Sequence, residues 1–303
     1  MIAALLLLAA TAGTPPPEPA GTVLSSRAPL GVACPASPAI EAEWHFPATG
    51  PALGLVWLQH GFARRAGNVR ELATHLARQG LMAVAPDLGS FDAECGLHGP
   101  ALAAGLAQAF ADSRSPGSPF AVAARAAAAA AGLPPLPLPE TLGFVGHSAG
   151  AATVLTVAAR LRSLAPAEAS RLRSVVLLDP VDDAARELQA ALLSLGPGLV
   201  KAVAAPPGWC NAFGAAAAGL DALEPGFAGV ELAGGGHCDA EGATSDWMCG
   251  LLCGASQPLP VDLLRSLAAN WLLGEMTGSR NPDAYPGGSW LEALRAAGLV
   301  RVF

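Results

Sequence analysis

The pentapeptide GHSAG at residues 146–150 is the feature whose residue types and spacing most clearly indicate chemistry. An apolar segment that predicts a strand, 141–146, precedes it, and a segment that predicts a helix, 149–164, follows it. A serine between two glycines at such a turn can present its hydroxyl above a sheet, and the helix amino terminus places backbone N–H groups beside it. This context predicts that Ser148 is a nucleophile; the alternative is a turn of small residues at a helix start.

A serine hydroxyl is a weak nucleophile and needs a base that is itself held by an acid. His237 is the one histidine that follows Ser148 in the chain. It lies in the sequence GGGHCD, directly after a predicted strand at 229–233. We therefore predict that His237 is the general base, the alternative being a solvated loop histidine.

Several carboxylates could orient this histidine. Asp179 directly follows a predicted strand at 174–178, which is a position where such an acid occurs, and it is the residue we favour. A simpler explanation for Asp179 is that it initiates a turn before Pro180. The alternatives left open are Asp182, Asp183, Asp221 and Glu224.

A tetrahedral oxyanion would need two backbone N–H donors. The turn after the serine offers the N–H of Ala149, and the predicted strand 52–60 runs into the sequence HGF, which offers the N–H of Phe62. We expect Phe62 to border the pocket and His60 to order its loop. For Trp209 we expect a core position or one beside a disulfide, with the pocket wall as the alternative.

The elements that must position these residues alternate between strand and helix. Predicted strands include 42–47, 81–86 and 199–205, and the closing helix is predicted at 261–276. This alternation predicts the α/β class, with a largely parallel central sheet and helices on both faces.

The same residues carry a resemblance to a family. The succession HGF, VAPDL, GHSAG, LLDPVDD and GHCD, over residues 41–276, resembles the α/β-hydrolases, in particular the branch with plant chlorophyllases, plasma-type platelet-activating-factor acetylhydrolases and dienelactone-hydrolase-like polyester hydrolases. The resemblance implies the α/β-hydrolase fold and the roles of Ser148, His237 and Asp179. Chlorophyllases have Arg after the nucleophile, where this chain has Ala149. The resemblance therefore implies ester cleavage rather than the pigment substrate.

The composition argues against a disordered chain and against a nucleic-acid-binding protein. Hydrophobic residues make up 52% of the 303 residues and charged residues 14%, which is unlike a disordered chain. The formal net charge of −7 leaves no basic surplus for nucleic acid. The length is ample for a sizeable core.

The first residues of the chain predict an export signal. Residues 1–12 form a short apolar run that ends in Ala-Thr-Ala, as a signal peptide cut after Ala12 would. Such a run is too short to span a bilayer core of about 30 Å, and no later stretch predicts a stable membrane span. We expect an extended spacer at 13–30, one catalytic domain at 31–303, and a secreted or periplasmic protein.

The six cysteines predict disulfides in an exported chain. Cys249 and Cys253 are four residues apart, as metal ligands can be, but no second close pair completes a zinc site. We expect Cys238 to pair with Cys249 or Cys253 and to brace the loop of His237.

Together these patterns predict an exported serine hydrolase that forms an acyl-enzyme with a small-molecule, lipid or polyester ester. An acyltransferase with the same residues, or a non-catalytic binding protein of the same fold, is the alternative. The chemistry requires no cofactor and no metal. We expect a monomer.

Overall fold

The computed structural model describes residues 21–303 apart from 33, 35–38, 183–186, 197 and 224–225. The expected signal peptide and the start of the expected spacer lie outside these described residues. The described chain forms nine strands: β1 (Val23–Pro29), β2 (Glu41–Pro47), β3 (Leu55–Gln59), β4 (Met82–Pro86), β5 (Leu142–His147), β6 (Leu172–Leu178), β7 (Val200–Ala204), β8 (Gly229–Leu232) and β9 (Val300–Val302).

Helices connect most of these strands. The α-helices of the described chain are α1 (Arg70–Arg78), α2 (Pro100–Asp112), α3 (Pro119–Ala130), α4 (Gly150–Leu164), α5 (Pro166–Ala169), α6 (Glu187–Leu195), α7 (Ala215–Leu223), α8 (Trp247–Cys253), α9 (Pro258–Thr277) and α10 (Ser289–Ala296). Short 3₁₀ helices lie at Ala66–Val69, Trp209–Gly214, His237–Ala240, Gly242–Thr244 and Pro282–Ala284. None of the helices described here is long and apolar enough to cross a membrane.

All nine strands form one sheet in the order β1-β2-β4-β3-β5-β6-β7-β8-β9. The six central strands, from β4 to β8 in that order, run parallel, whereas β1, β2 and β9 pair antiparallel at the two edges. The predicted α/β class with a largely parallel sheet is therefore confirmed.

Both faces of the sheet are covered by helices. Side chains alternate along a strand, so Leu55 and Trp57 of β3 pack with α2, α3 and α4, whereas Val56 and Leu58 pack with α1 and α9. Burial on both sides explains why β3 is apolar rather than alternating. The predicted strand 52–60 is shorter at both ends, since β3 covers only Leu55–Gln59.

The two ends of the described chain differ from expectation. The expected spacer, residues 13–30, is wrong for its second half, because Val23–Pro29 is β1 and pairs with β2 over its whole length. At the other end the residues after α9 form α10 and β9, and β9 extends the sheet by pairing with β8. Both terminal segments are thus integral to the sheet.

Candidate active site

Ser148 lies in the sharp turn between β5 and α4. Its φ is +54°, a left-handed conformation that costs a non-glycine residue about 1–2 kcal/mol. The neighbouring glycines are required sterically, since a Cβ on Gly146 would lie 2.5 Å from the Gly150 carbonyl oxygen and one on Gly150 would lie 2.5 Å from the His60 carbonyl oxygen. The turn is held further by the Ser148 N–H, which donates to the Leu178 carbonyl at 3.0 Å. The strained backbone is therefore fixed by the surrounding strands.

His237 comes next to Ser148 although 88 residues separate them in the chain. It begins the 3₁₀ helix after β8, and its Nε2 lies 3.0 Å from Ser148 Oγ. Its Nδ1 lies 2.5 Å from Asp179 Oδ2. A proton on Nδ1 donated to the carboxylate leaves the Nε2 lone pair free to accept the serine proton. The arrangement can therefore activate a hydroxyl nucleophile.

Asp179 follows β6 and is 3% exposed. Its Oδ1 accepts hydrogen bonds from the Ala205 N–H at 2.9 Å and from Asn211 Nδ2 at 3.0 Å. Burial by itself would raise the pKa of Asp179, but the hydrogen bonds from His237, Asn211 and Ala205 outweigh it, so the pKa lies below its ordinary value. The carboxylate is thus held ionised and aimed at the imidazole.

The other candidate acids are placed elsewhere or fall outside the described residues. Asp182 Oδ1 accepts from the Leu188 N–H at 3.1 Å, in the first turn of α6. Asp221 is an exposed residue of α7. Asp183 and Glu224 lie outside the described residues. Among the described carboxylates it is Asp179 that the fold brings to His237.

The turn after β3 brings the predicted N–H donors near the serine. A Cβ on Gly61 would lie 3.3 Å from Ser148 Oγ, so the backbone that leads into Phe62 passes directly over the hydroxyl. Among the described residues, neither the Phe62 N–H nor the Ala149 N–H has a hydrogen-bond acceptor. Both donors therefore remain available to a negatively charged oxygen.

His60 orders this turn. Its Nδ1 donates to the Gly61 carbonyl at 2.9 Å, and its Nε2 accepts from the Leu88 N–H at 3.1 Å. Burial lowers the pKa of His60, which keeps the ring neutral and able to accept that bond. Both ring nitrogens are occupied, so the ring links the loops after β3 and β4.

His147 is a further site residue, and its role becomes apparent only in the structure. Its Nε2 donates to the His237 backbone carbonyl at 2.8 Å, so the residue before Ser148 holds the backbone of His237 in place. Burial and the neighbouring His237 ring lower the pKa of His147 to about 3. A neutral ring in this position supports His237 without adding a competing charge. The signal in the sequence is its place in GHSAG, which by itself does not indicate a contact with the distant His237.

The His237 turn has further supports. Asp239 Oδ2 accepts from the Gly236 N–H at 2.6 Å, and burial raises the pKa of Asp239. Cys238 pairs with Cys249, as one of the two expected pairings. Asn211, which donates to Asp179, is another site residue, and nothing in its sequence surroundings indicates that role.

All six cysteines form pairs at disulfide distance. Besides Cys238–Cys249, the pairs are Cys34–Cys95 and Cys210–Cys253. The sulfurs of Cys238, Cys249 and Cys253 lie within 4.8 Å of one another, so two of the disulfides are neighbours beside the site. The expectation of disulfides is met by three pairs.

Ser148 and His237 open into a cavity of about 380 Å³. Its wall is formed mostly by apolar side chains and by the two neighbouring disulfides: Phe62, Ala63, Trp209, Cys210, Met248, Cys249, Leu252 and Cys253. Trp209 is 79% exposed and lies beside Cys210, so the expected core position is wrong. It belongs to the pocket wall, next to a disulfide.

Arg64 and Glu241 form the charged part of this wall. Two guanidinium nitrogens of Arg64 donate to the buried Glu241 carboxylate, each at 2.6 Å, and a third bond reaches Asp246 at 2.9 Å. Burial opposes the charge of Arg64, but these hydrogen bonds outweigh it and raise its pKa. Because the charges of Arg64 and Glu241 are hydrogen-bonded to each other, the pair holds the wall together and offers no free charge to a ligand.

A second cavity, of about 420 Å³, lies between α2, α4 and α6. Its lining is mostly alanine, threonine and leucine side chains, and Ser148 and His237 are not among them. Its volume is slightly larger than that of the cavity beside Ser148. Because Ser148 and His237 line the smaller cavity, that cavity is the candidate binding site.

Comparison with protein-family models and with curated proteins finds no match for this chain. The fold and the geometry of the residues therefore carry the functional argument.

Proposed function

We propose that this protein is a serine hydrolase of the α/β-hydrolase type that cleaves carboxylic esters. The observation that carries the proposal is the continuous hydrogen-bonded chain from Asp179 through His237 to Ser148, with distances of 2.5 and 3.0 Å. Serine, acid and histidine also follow one another in the chain order of that family, and the serine lies in a strand–turn–helix.

The reaction begins when Ser148 Oγ attacks the ester carbonyl. His237 Nε2 takes the hydroxyl proton, and Asp179 stabilises the imidazolium that forms. The Phe62 and Ala149 N–H groups bind the tetrahedral oxyanion, and losing one such donor typically costs about 3 kcal/mol of the barrier.

Collapse of the intermediate expels the alcohol, which takes its proton from His237. Water then enters, His237 removes its proton, and attack on the acyl-enzyme releases the carboxylic acid and restores Ser148. The residues present supply every proton transfer in this cycle. The apolar wall at Met248 and Leu252 favours an ester with a hydrophobic part.

We further propose that the protein acts outside the cytoplasm. The three cysteine pairs and the apolar run at residues 1–12 support this location.

The test is hydrolysis of dissolved p-nitrophenyl acetate and butyrate by the wild type and by Ser148→Ala. We expect the variant to be slower by at least about 10³-fold. A fluorophosphonate should label the wild type at Ser148 and leave the variant unlabelled. Equal rates for the two proteins would contradict the proposal.

The acid is tested in the same assay by a matched pair. Asp179→Asn should lower kcat by about 10⁴-fold because it loses the anion that fixes the imidazole. Asp182→Asn, three residues away, should keep its rate within about twofold, because Asp182 contacts the first turn of α6. A larger loss of rate in Asp182→Asn would reassign the acid.

The alternative of an acyltransferase is tested by adding an alcohol to the assay. Formation of a new ester faster than release of the carboxylic acid would indicate an acyltransferase.

A further inference from the structure

Large apolar side chains are exposed around the mouth of the cavity. Thirteen such side chains are exposed in the described chain, and eight of them lie on four short segments that line or adjoin this cavity, so the distribution is concentrated rather than scattered. We name these eight residues the apolar rim: Phe62, Phe91, Trp209, Phe213, Trp247, Met248, Leu251 and Leu252.

The rim is continuous with the cavity. Phe62, Trp209, Met248 and Leu252 line the cavity and are also exposed outside it. Phe91 packs edge-on against Phe62, with ring centroids 5.1 Å apart. A ligand that contacts the rim is therefore already at the entrance to Ser148.

Helix α8 divides its side chains among three tasks, each taken by a pair four residues apart. Cys249 and Cys253 form disulfides that belong to the cavity wall, whereas Met248 and Leu252 line the cavity with side chains that are not cross-linked. The remaining pair, Trp247 and Leu251, is 75% and 72% exposed and takes part in neither. This outer pair has no role in the fold that the described contacts reveal.

The disulfides hold this exposed helix in place. A helix of seven residues is not stable by itself in water. Cys210–Cys253 ties α8 to the segment of Trp209, and Cys238–Cys249 ties it to the segment of His237. The rim is therefore presented as a fixed surface, and its ordering cost is already met before binding.

The charges indicate what kind of surface fits the rim. None of its eight members is charged, and Arg64, the cation in the cavity wall, is bound to Glu241 and Asp246. The chain as a whole has a net charge of −7, which disfavours an anionic membrane. Two exposed tryptophans suit the boundary between water and an uncharged fluid lipid.

We propose that the apolar rim docks the protein on the surface of an emulsified, uncharged lipid ester such as a triacylglycerol. Docking places the cavity against the surface, so that an ester passes from the lipid to Ser148 without crossing water. This inference rests on the proposed ester hydrolysis and names its substrate as an aggregate rather than a dissolved molecule.

The test compares Trp247→Ser/Leu251→Ser with the wild type on emulsified tributyrin and on dissolved p-nitrophenyl butyrate. The rim variant should be at least about tenfold slower on the emulsion, because it loses two side chains that enter the lipid. Its rate on the dissolved ester should stay within about twofold, since neither residue lines the cavity. That rate also shows that the variant is folded.

The matched control is Val122→Ser/Leu164→Ser, which removes two exposed apolar side chains that belong to neither the rim nor the cavity wall, on α3 and α4. It should keep the wild-type rate on both substrates. If the rim variant also keeps the wild-type rate on the emulsion, docking is excluded while ester hydrolysis stands.

A binding measurement separates docking from catalysis. Ser148→Ala should float with a triolein emulsion at low and high salt, and adding Trp247→Ser/Leu251→Ser should abolish flotation. Preferential flotation with anionic phospholipid vesicles, lost in high salt, would assign the rim to a membrane and overturn the proposal.

Two further outcomes are informative. A dimer in sedimentation that the rim substitutions dissociate would assign the rim to a second copy and also overturn the proposal. A wild-type protein that floats with triolein but hydrolyses no dissolved ester would remove the proposed function and leave docking in place.

Discussion

The nucleophile turn and the wall opposite it reach the same cavity by different physical means. Ser148, 8% exposed, is held by central strands of the sheet and by close backbone contacts at two glycines. The wall at Trp209 and α8 is exposed, is built from short helices, and is held by two disulfides. Two of the three disulfides thus lie where the helices are short and exposed.

This difference has a functional consequence. The groups of the proposed reaction need positions accurate to a fraction of an ångström, which the carboxyl ends of buried central strands supply. The wall must instead expose apolar area to a ligand, and exposed area cannot also stabilise the fold. The predictions below separate the two means, from the largest expected effect to the smallest.

The nucleophile turn should fail when its close contacts are obstructed. In Gly146→Ala the new Cβ would lie 2.5 Å from the Gly150 carbonyl oxygen and 2.7 Å from the Ala151 Cα. The turn must shift, so we expect ester hydrolysis to fall by at least about 100-fold and the free energy of unfolding to fall by about 3 kcal/mol. Urea titration and p-nitrophenyl butyrate kinetics measure the two effects.

The control is Gly219→Ala in α7, where a Cβ would meet nothing within 4 Å. Alanine favours helix over glycine by about 1 kcal/mol, so this variant should be slightly more stable and fully active. A similar loss in both glycine variants would refute the steric argument.

The wall should become less stable, and the reaction slower, when one of its disulfides is removed. Cys238→Ser/Cys249→Ser opens a link that spans 11 residues and should lower the free energy of unfolding by about 3 kcal/mol. Because this link adjoins His237, the folded variant should also hydrolyse the dissolved ester about tenfold more slowly. Both are measured well below the melting temperature.

The comparison pair is Cys34→Ser/Cys95→Ser, whose link spans 61 residues. Its loss should cost slightly more stability, about 4 kcal/mol, because the loop is longer. The rate of the folded protein should nevertheless remain near that of the wild type. An equal loss of rate in both pairs would mean that the Cys238 link has no special place at the site.

The smallest effect concerns acid sensitivity. His147 has a pKa of about 3 in the folded chain against 6.5 for the free side chain, so unfolding takes up a proton at any pH between these values. Stability is therefore lost as the pH falls below 6.5, by about 2 kcal/mol at pH 5. His147→Gln keeps an N–H donor for the His237 carbonyl and has no such proton to take up.

Urea titrations at pH 7 and pH 5 test this. The loss of stability between the two pH values should be about 2 kcal/mol smaller in His147→Gln than in the wild type. His98→Gln, at an exposed histidine, is the control and should show the wild-type pH dependence. The pKa of Asp179 lies below its ordinary value of 3.8, so this residue stabilises the folded chain at pH values above 3.8. That contribution is lost only at a pH below the range of the two titrations.

Much of the fold could be predicted because the signals were local. The apolar run of β3 and the glycines around Ser148 indicate a buried strand and a close turn whatever the rest of the chain does. The edge strands β1 and β9 were missed for the opposite reason. Val23–Pro29 and Val300–Val302 have no strong pattern of their own and become strands by pairing with β2 and β8.

For the site, residue types and chain order sufficed to single out Ser148 and His237 as partners. They did not suffice for the acid, since Asp179 and Asp182 follow the same strand three residues apart. The tertiary structure places Asp179 against His237, because the backbone leaves β6 at a φ of +41° and Ala205 and Asn211 bind the carboxylate from another segment.

The apolar rim and the role of His147 also emerged only in three dimensions. Trp209, Trp247 and Leu251 are large and apolar, as core residues are. Hydrophobicity alone does not indicate whether such a side chain is buried or exposed to water. Exposure depends on which distant segments cover a residue, and here two disulfides hold α8 outside the core. Local sterics and residue chemistry can be inferred from the sequence. The burial of a side chain and the choice among equivalent partner residues depend on the tertiary structure.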